Sequence, residues 1–129
     1  HPRTEARIEQ FGLQGFFYTP RIYWRPPLGY LEMLGLMGEA RMVLTDSGGV
    51  QEETTALGVP CLSLWENTER PITVEQGTNT IVGMDAARIL AAYREIMSTG
   101  GKAGRSPEYW DGQAAVRIAR ILKPWLHDR

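Results

Sequence analysis

Hydrophobic positions along this chain fall mostly into short continuous runs, separated by glycine, proline and small polar residues. Gly15-Phe16-Phe17-Tyr18 is short and aromatic and predicts a strand closed by Pro20. Arg41–Leu44, Val59–Leu64 and Asn79–Val82 predict three more strands. Helical spacing fills the intervals. Tyr30, Leu31, Leu34 and Met37 recur with the period of an amphipathic helix over Tyr30–Gly38. Thr4 can cap a short helix over Glu5–Gln10 that ends at Gly12, and Gly58 stops a helix over Val50–Leu57. A short helix over Glu69–Gln76 tolerates Pro71 in its first turn. Asp85 caps a helix over Ala86–Met97, and Asp111-Gly112 starts a last one over Gly112–Leu126, which Pro124 is expected to break before its end. Arg25–Gly29 and the glycine-rich Gly100–Pro107 read as loops.

Apolar strands alternating with helices favour an α/β fold with a parallel sheet covered on both faces. In such sheets ligands bind beyond the carboxyl ends of the strands, where helix N-termini point. At 129 residues the chain is expected to form a single domain with a real core. A net charge of −1 leaves no electrostatic footprint for nucleic acid or an anionic membrane. No run is long enough to span a membrane and no signal peptide is visible, so a cytoplasmic location is expected. The single cysteine, Cys61, excludes an internal disulfide and suits a reducing compartment. The chain opens His1-Pro2-Arg3-Thr4 without an initiator methionine, as a trimmed or processed piece of a longer protein would.

Chemistry concentrates in Leu44-Thr45-Asp46-Ser47-Gly48-Gly49-Val50-Gln51-Glu52-Glu53, at the turn between a predicted strand and a predicted helix. Ser47 can act as N-cap, and Gly48 and Gly49 carry no side chain to block a ligand from free backbone N–H groups. The helix dipole favours an anion there. Neither GxGxxG nor the Walker pattern occurs, so the turn is a phosphate cradle of another kind or a plain tight turn. At ~100° per residue Val50, Glu53, Thr54 and Leu57 share one face and Glu52 points away into water. Glu53, at the edge of the inward face, needs donors: the sugar hydroxyls of a nucleotide, or a salt bridge such as one with Arg70.

The segment TDSGGVQEETTALGVPCLSLWENTERPITVEQGTNTIVG resembles the signature region of the non-hydrolysing UDP-N-acetylglucosamine 2-epimerase family. The similarity continues through HPRTEARIEQFGL and PPLGYLEMLGLM upstream and WDGQAAVRIARIL downstream. It covers nearly all of this chain, but only the C-terminal part of the family's usual length. The resemblance implies two Rossmann-like domains in the GT-B arrangement. This chain, residues 1–129, would then be one nucleotide-sugar-binding domain in the C-terminal half.

It further implies that Ser47, Gly48 and Gly49 hold a diphosphate and that Glu53 takes the ribose. Arg70 of Thr68-Glu69-Arg70-Pro71 would be a further UDP-sugar contact, a role suited to a bidentate guanidinium. Leu28 and Met33, flanking Tyr30, align with positions lining the uracil pocket. Four positions depart from the family pattern. Ile72 follows TERP where Glu is more frequent, Leu28 and Met33 replace a polar residue and an aromatic ring found in some members, and Trp65 stands where Arg is common.

The family reaction removes the C2 proton of the sugar, eliminates UDP to a glycal-like intermediate, and adds UDP back with C2 inverted. Its carboxylates lie on the N-terminal domain, so no catalytic residue is expected in this chain and the isolated chain is expected to be inactive. The implied partners are UDP, a UDP-N-acetylhexosamine and the absent N-terminal domain, with a homodimer left open and no nucleic acid or membrane. The implied role lies in cell-envelope polysaccharide biosynthesis, without cofactor or metal. A stand-alone UDP-sugar-binding module, or half of another GT-B glycosyltransferase, remains an alternative.

The other reactive residues read as structural. Cys61 sits in an apolar strand with no basic cluster near it in sequence, and is expected to be a buried core thiol. His1 resembles the family's later His-Pro segment and is not read as catalytic, while His127 lies in a charged tail. Asp46 either contacts ligand or bonds the turn. DSGG lacks a GxSxG elbow and a histidine partner, which argues against a serine hydrolase.

Overall fold

The computed structural model describes residues 2–127, so His1 lies outside it, as does the side chain of His127. The chain divides into two compact units, one running through Met33 and a larger one from Leu34 onward.

The first unit contains helices α1 (Pro2–Gln10) and α2 (Gln14–Phe17) and the start of α3 (Tyr30–Gly38). α1 begins at Pro2, so Thr4 lies inside the helix rather than capping it. Gly12, at φ 64°, ends α1: its N–H donates to Glu9 O at 3.1 Å, and Leu13 N–H donates to Ile8 O at 2.9 Å. The predicted strand over Gly15–Tyr18 is instead the single turn α2, with Tyr18 N–H donating to Gln14 O at 2.8 Å. Aromatic content favours a strand only where a neighbouring strand offers a surface to pack on. Here the rings pack locally instead. Trp24 lies 6.0 Å from the Phe17 ring and 5.7 Å from that of Tyr18, and its Nε1–H donates to Phe17 O at 3.3 Å. α3 spans the predicted residues. Glu32 Oε2 accepts from Gly29 N–H at 3.0 Å, the reach-back half of a capping box.

The larger unit is built on a parallel sheet of β1 (Val43–Thr45), β2 (Cys61–Ser63) and β3 (Asn79–Ile81) in the order β1-β2-β3. Val43 pairs with Cys61 and Cys61 with Asn79. Helix α4 (Gly48–Leu57) connects β1 to β2, and α5 (Pro71–Glu75) connects β2 to β3. β3 leads into α6 (Ala86–Thr99), and α7 (Ala114–His127) closes the chain. Asp85 caps α6 as predicted, accepting from Arg88 N–H at 2.8 Å. Asp111 Oδ1 accepts from Gln113 N–H at 3.0 Å just ahead of α7. Pro124 lies inside α7 without ending it, at the expense of one i→i−4 hydrogen bond.

The two faces of β2 bury different chemistry. Leu62 packs with Val82 and Ile96 of α6, joined by Ile89 and Ala92, in an apolar cluster. Burying a leucine this fully contributes about 1.5–3 kcal/mol. Ser63, on the opposite face, meets a polar layer supplied by α4, α5 and β3: Gln51, Thr54, Thr73 and Asn79 are all buried. Cys61 is buried as expected, and desolvation pushes its thiol pKa above the ordinary 9.0, against a weaker hydrogen bond with Thr54.

The polar layer corrects the face predicted for α4. The inward residues are Gln51, Thr54 and Thr55, whereas Leu57 is exposed and Glu53 only half-buried. Threonine can line a core when its hydroxyl bonds its own helix, and Thr54 Oγ1 donates to Val50 O at 2.8 Å. A pattern of apolar residues alone therefore points this helix the wrong way.

Candidate functional site

The turn after β1 is held by Thr45, whose Oγ1 accepts from Ser47 N–H at 3.0 Å. Ser47 occupies the N-cap position with extended backbone (φ −87°, ψ 125°), but its side chain makes no capping hydrogen bond. α4 accordingly starts at Gly48, two residues earlier than predicted. The amides of its first turn, on Gly48 and Gly49, have no acceptor within the helix and carry the positive end of its dipole. The Ser47 hydroxyl and these N–H groups form a donor cluster beyond the carboxyl end of a parallel strand.

Arg70 is brought to the same place by a separate device. A Cβ on Gly48 would lie 3.7 Å from Arg70 Cγ, so the arginine stem runs beside the first turn of α4. Arg70 Nε lies 2.8 Å from Glu52 Oε1, and its Nη1 donates to Glu69 O at 3.2 Å. The predicted distinction between the glutamates is thereby corrected. Glu52, not Glu53, makes the bridge to Arg70, so Glu52 is not simply a solvated charge. Glu53 lies on another flank of α4, where Glu52, Glu53, Ala56 and Trp110 line a shallow hollow.

The loop bearing Arg70 is fixed from below by the polar layer. Thr68 Oγ1 donates to Gln51 Oε1 at 2.5 Å and accepts from Arg70 N–H at 2.9 Å. Asn79 Nδ2 donates to Gln51 Oε1 at 3.2 Å and to Thr73 Oγ1 at 3.0 Å, and Thr73 Oγ1 donates to Arg70 O at 2.7 Å. Ser63 Oγ closes the chain by donating to Asn79 Oδ1 at 2.7 Å. The network spans β2, β3, α4 and α5 and pre-positions one guanidinium. Sequence reasoning missed it. A serine and an asparagine inside otherwise apolar strands were the available signal, since buried polar side chains require partners.

A cleft of about 340 Å³ opens on one side of the α4 N-terminus, lined by Asp46, Gly48, Gln51, Trp65, Asn67, Thr68 and Glu69. Ser47, Gly48, Gly49 and Arg70 are thus assembled around one helix end, with Glu53 on its flank. Leu28 and Met33 belong to the first unit, each about a third exposed.

The family model for UDP-N-acetylglucosamine 2-epimerase matches residues 1–123. The UDP-N-acetylglucosamine 2-epimerase of Methanocaldococcus jannaschii is 44% identical over 95% of this chain and 33% of its own length. The UDP-2,3-diacetamido-2,3-dideoxy-D-glucuronate 2-epimerase of Pseudomonas aeruginosa is 39% identical, again over 95% of this chain and 33% of its own length. The crystal structure of the M. jannaschii UDP-GlcNAc 2-epimerase in complex with UDP-GlcNAc and UDP superposes with a TM-score of 0.80 at 40% identity, covering 95% of this chain and 34% of that one. The chain therefore spans about a third of the length of these relatives. The parallel α/β architecture and the sequence agree: this chain belongs to the UDP-N-acetylglucosamine 2-epimerase family.

Proposed function

We propose that this chain is the UDP-holding portion of a UDP-N-acetylglucosamine 2-epimerase, with the diphosphate on Ser47, Gly48 and Gly49, Arg70 beside it, and the ribose on Glu53. Residues 1–129 act in this reading as a single nucleotide-sugar-binding domain. The observation that carries the reading is the convergence of a helix N-terminus and a guanidinium within van der Waals reach of Gly48. A diphosphate needs backbone donors and a delocalised cation together, and both are supplied without rearranging the fold.

Glu53 suits the ribose because it sits one helical turn beyond the glycines, away from the phosphates that would repel it. The chemical contribution of this chain is leaving-group stabilisation. When the C2 proton is removed and the C1–O bond to UDP breaks, negative charge grows on the diphosphate, where fixed N–H dipoles and Arg70 lower its energy. The proton itself is handled by carboxylates of a further domain, so the isolated chain binds without turning over. The sugar carries an acetamido group at C2, the chemistry common to the substrates named for both relatives.

Calorimetric titration with UDP tests this directly. Binding is expected in the native chain and is expected to weaken at least about tenfold in Arg70→Ala and in Glu53→Ala. Binding indifferent to both changes would sink the assignment.

A further inference from the structure

The cleft beside the α4 N-terminus contains one feature that neither the phosphate end nor the ribose end uses. Trp65, the second residue after β2, is half-exposed and forms part of its wall. The remaining wall is polar, with Asp46, Asn67 and Glu69 offering carboxylate and amide groups. One aromatic face among hydrogen-bonding side chains is the composition that recognises a pyranose. The C–H face of the ring stacks on an aromatic surface while its hydroxyl and acetamido groups are taken up at the rim.

The loop holding Trp65 is pinned on both sides. Leu64 N–H donates to Thr45 O at 2.9 Å, extending the β1–β2 pairing to the residue before the tryptophan. Glu66 pairs with Arg88 of α6 at 3.6 Å, and Arg88 Nη2 donates in turn to Ile81 O at 3.2 Å. Two residues further on, Thr68 is tied to Gln51 of α4. Trp65 thus lies between anchors to α6 and α4, with its indole half-exposed at the cleft. A side chain of this size left facing an open polar cleft serves nothing in the core.

We propose that Trp65 is the stacking surface of the glycosyl subsite, holding the hexosamine of a nucleotide sugar on the side of Gly48 away from Glu53. This rests on the nucleotide reading above and deepens it. The diphosphate is the divide: ribose toward Glu53, sugar toward Trp65. Trp65 is a specificity residue that distinguishes a UDP-sugar from UDP.

The test compares UDP and UDP-GlcNAc binding by calorimetry in the native chain, Trp65→Ala and Trp65→Phe, with circular dichroism to verify folding. UDP affinity is expected to stay within about twofold in all three, while UDP-GlcNAc affinity falls about five- to tenfold in Trp65→Ala and less in Trp65→Phe. An unchanged ratio of the two affinities in folded Trp65→Ala overturns the proposal, as does an equal loss of both ligands. Should Trp65→Ala not fold, proton NMR of UDP-GlcNAc with the native chain decides. Upfield ring-current shifts of the pyranose protons support stacking, and their absence overturns it. Failure of the native chain to bind UDP at all would instead remove the underlying nucleotide reading.

Discussion

Arg70 reaches the N-terminus of α4 already paired, its Nε 2.8 Å from Glu52 Oε1, with each side chain about 40% exposed. A pair this exposed is worth only about 0–1 kcal/mol to the fold. Its consequence is orientation: the cation that a diphosphate would need is held beside Gly48 by a carboxylate on the same helix.

Replacing the two partners should therefore have unequal effects. Arg70→Ala removes a charge-assisted contact and should weaken UDP binding about 10- to 100-fold. Glu52→Gln keeps the amide oxygen as an acceptor and removes a negative charge near the phosphates, so UDP affinity should change less than about threefold. Isothermal titration of both variants at matched ionic strength checks the contrast.

The Arg70 loop depends on a side chain that never meets ligand. Asn79 is fully buried, accepts from Ser63, and donates to both Gln51 and Thr73. Asn79→Ala leaves the buried Ser63 hydroxyl without its acceptor and takes one of two hydrogen bonds from each of Gln51 and Thr73, and should cost about 2–3 kcal/mol in urea unfolding. It should also weaken UDP binding in the fraction that remains folded. Asn79→Asp, which retains an acceptor for Ser63, should recover part of the stability.

Gly77 is held to glycine by its neighbours. A Cβ there would lie 2.6 Å from Thr73 O and would run into the Thr55 side chain. Backbone cannot yield as a flexible side-chain tip does, so Gly77→Ala should destabilise by about 1–3 kcal/mol. Gly48→Ala, whose Cβ would meet only ordinary van der Waals contact, should fold normally. Thermal melts of the two variants separate these outcomes.

Cys61 should be inert in the folded chain. Burial raises its thiol pKa, so the folded protein keeps its proton at pH values where the unfolded chain has lost it. With the folded value raised, this contribution to stability is fully present below the ordinary thiol value of 9.0 and declines as pH rises above it. Labelling by a thiol reagent at pH 7.5 should follow global unfolding, appearing in denaturant and absent without it.

Legibility in the sequence divided along physical lines. The short apolar runs located all three strands of the larger unit, and Asp85 and Gly58 marked helix ends through local capping chemistry. The Ser47-Gly48-Gly49 turn could be read because backbone freedom and helix polarity are written in adjacent residues. What was missed depends on distant partners. Gly15–Tyr18 became a helical turn through rings packing on Trp24. The inward face of α4 is polar, so apolar periodicity misdirected it. Trp110 beside Glu53 joins residues far apart in sequence, with no local pattern to announce the meeting. The Glu52–Arg70 pair likewise depends on how α4 is rotated on the sheet.

The most direct measurement is a nitrogen-15 heteronuclear NMR titration of this chain with UDP. The account predicts that the largest amide shifts fall on Gly48 and Gly49, with the Arg70 side-chain Nε–H and the Glu53 amide moving at the same ligand concentrations. Shifts centred away from the turn after β1, or none at saturating UDP, would contradict the claim that this helix end holds a nucleotide.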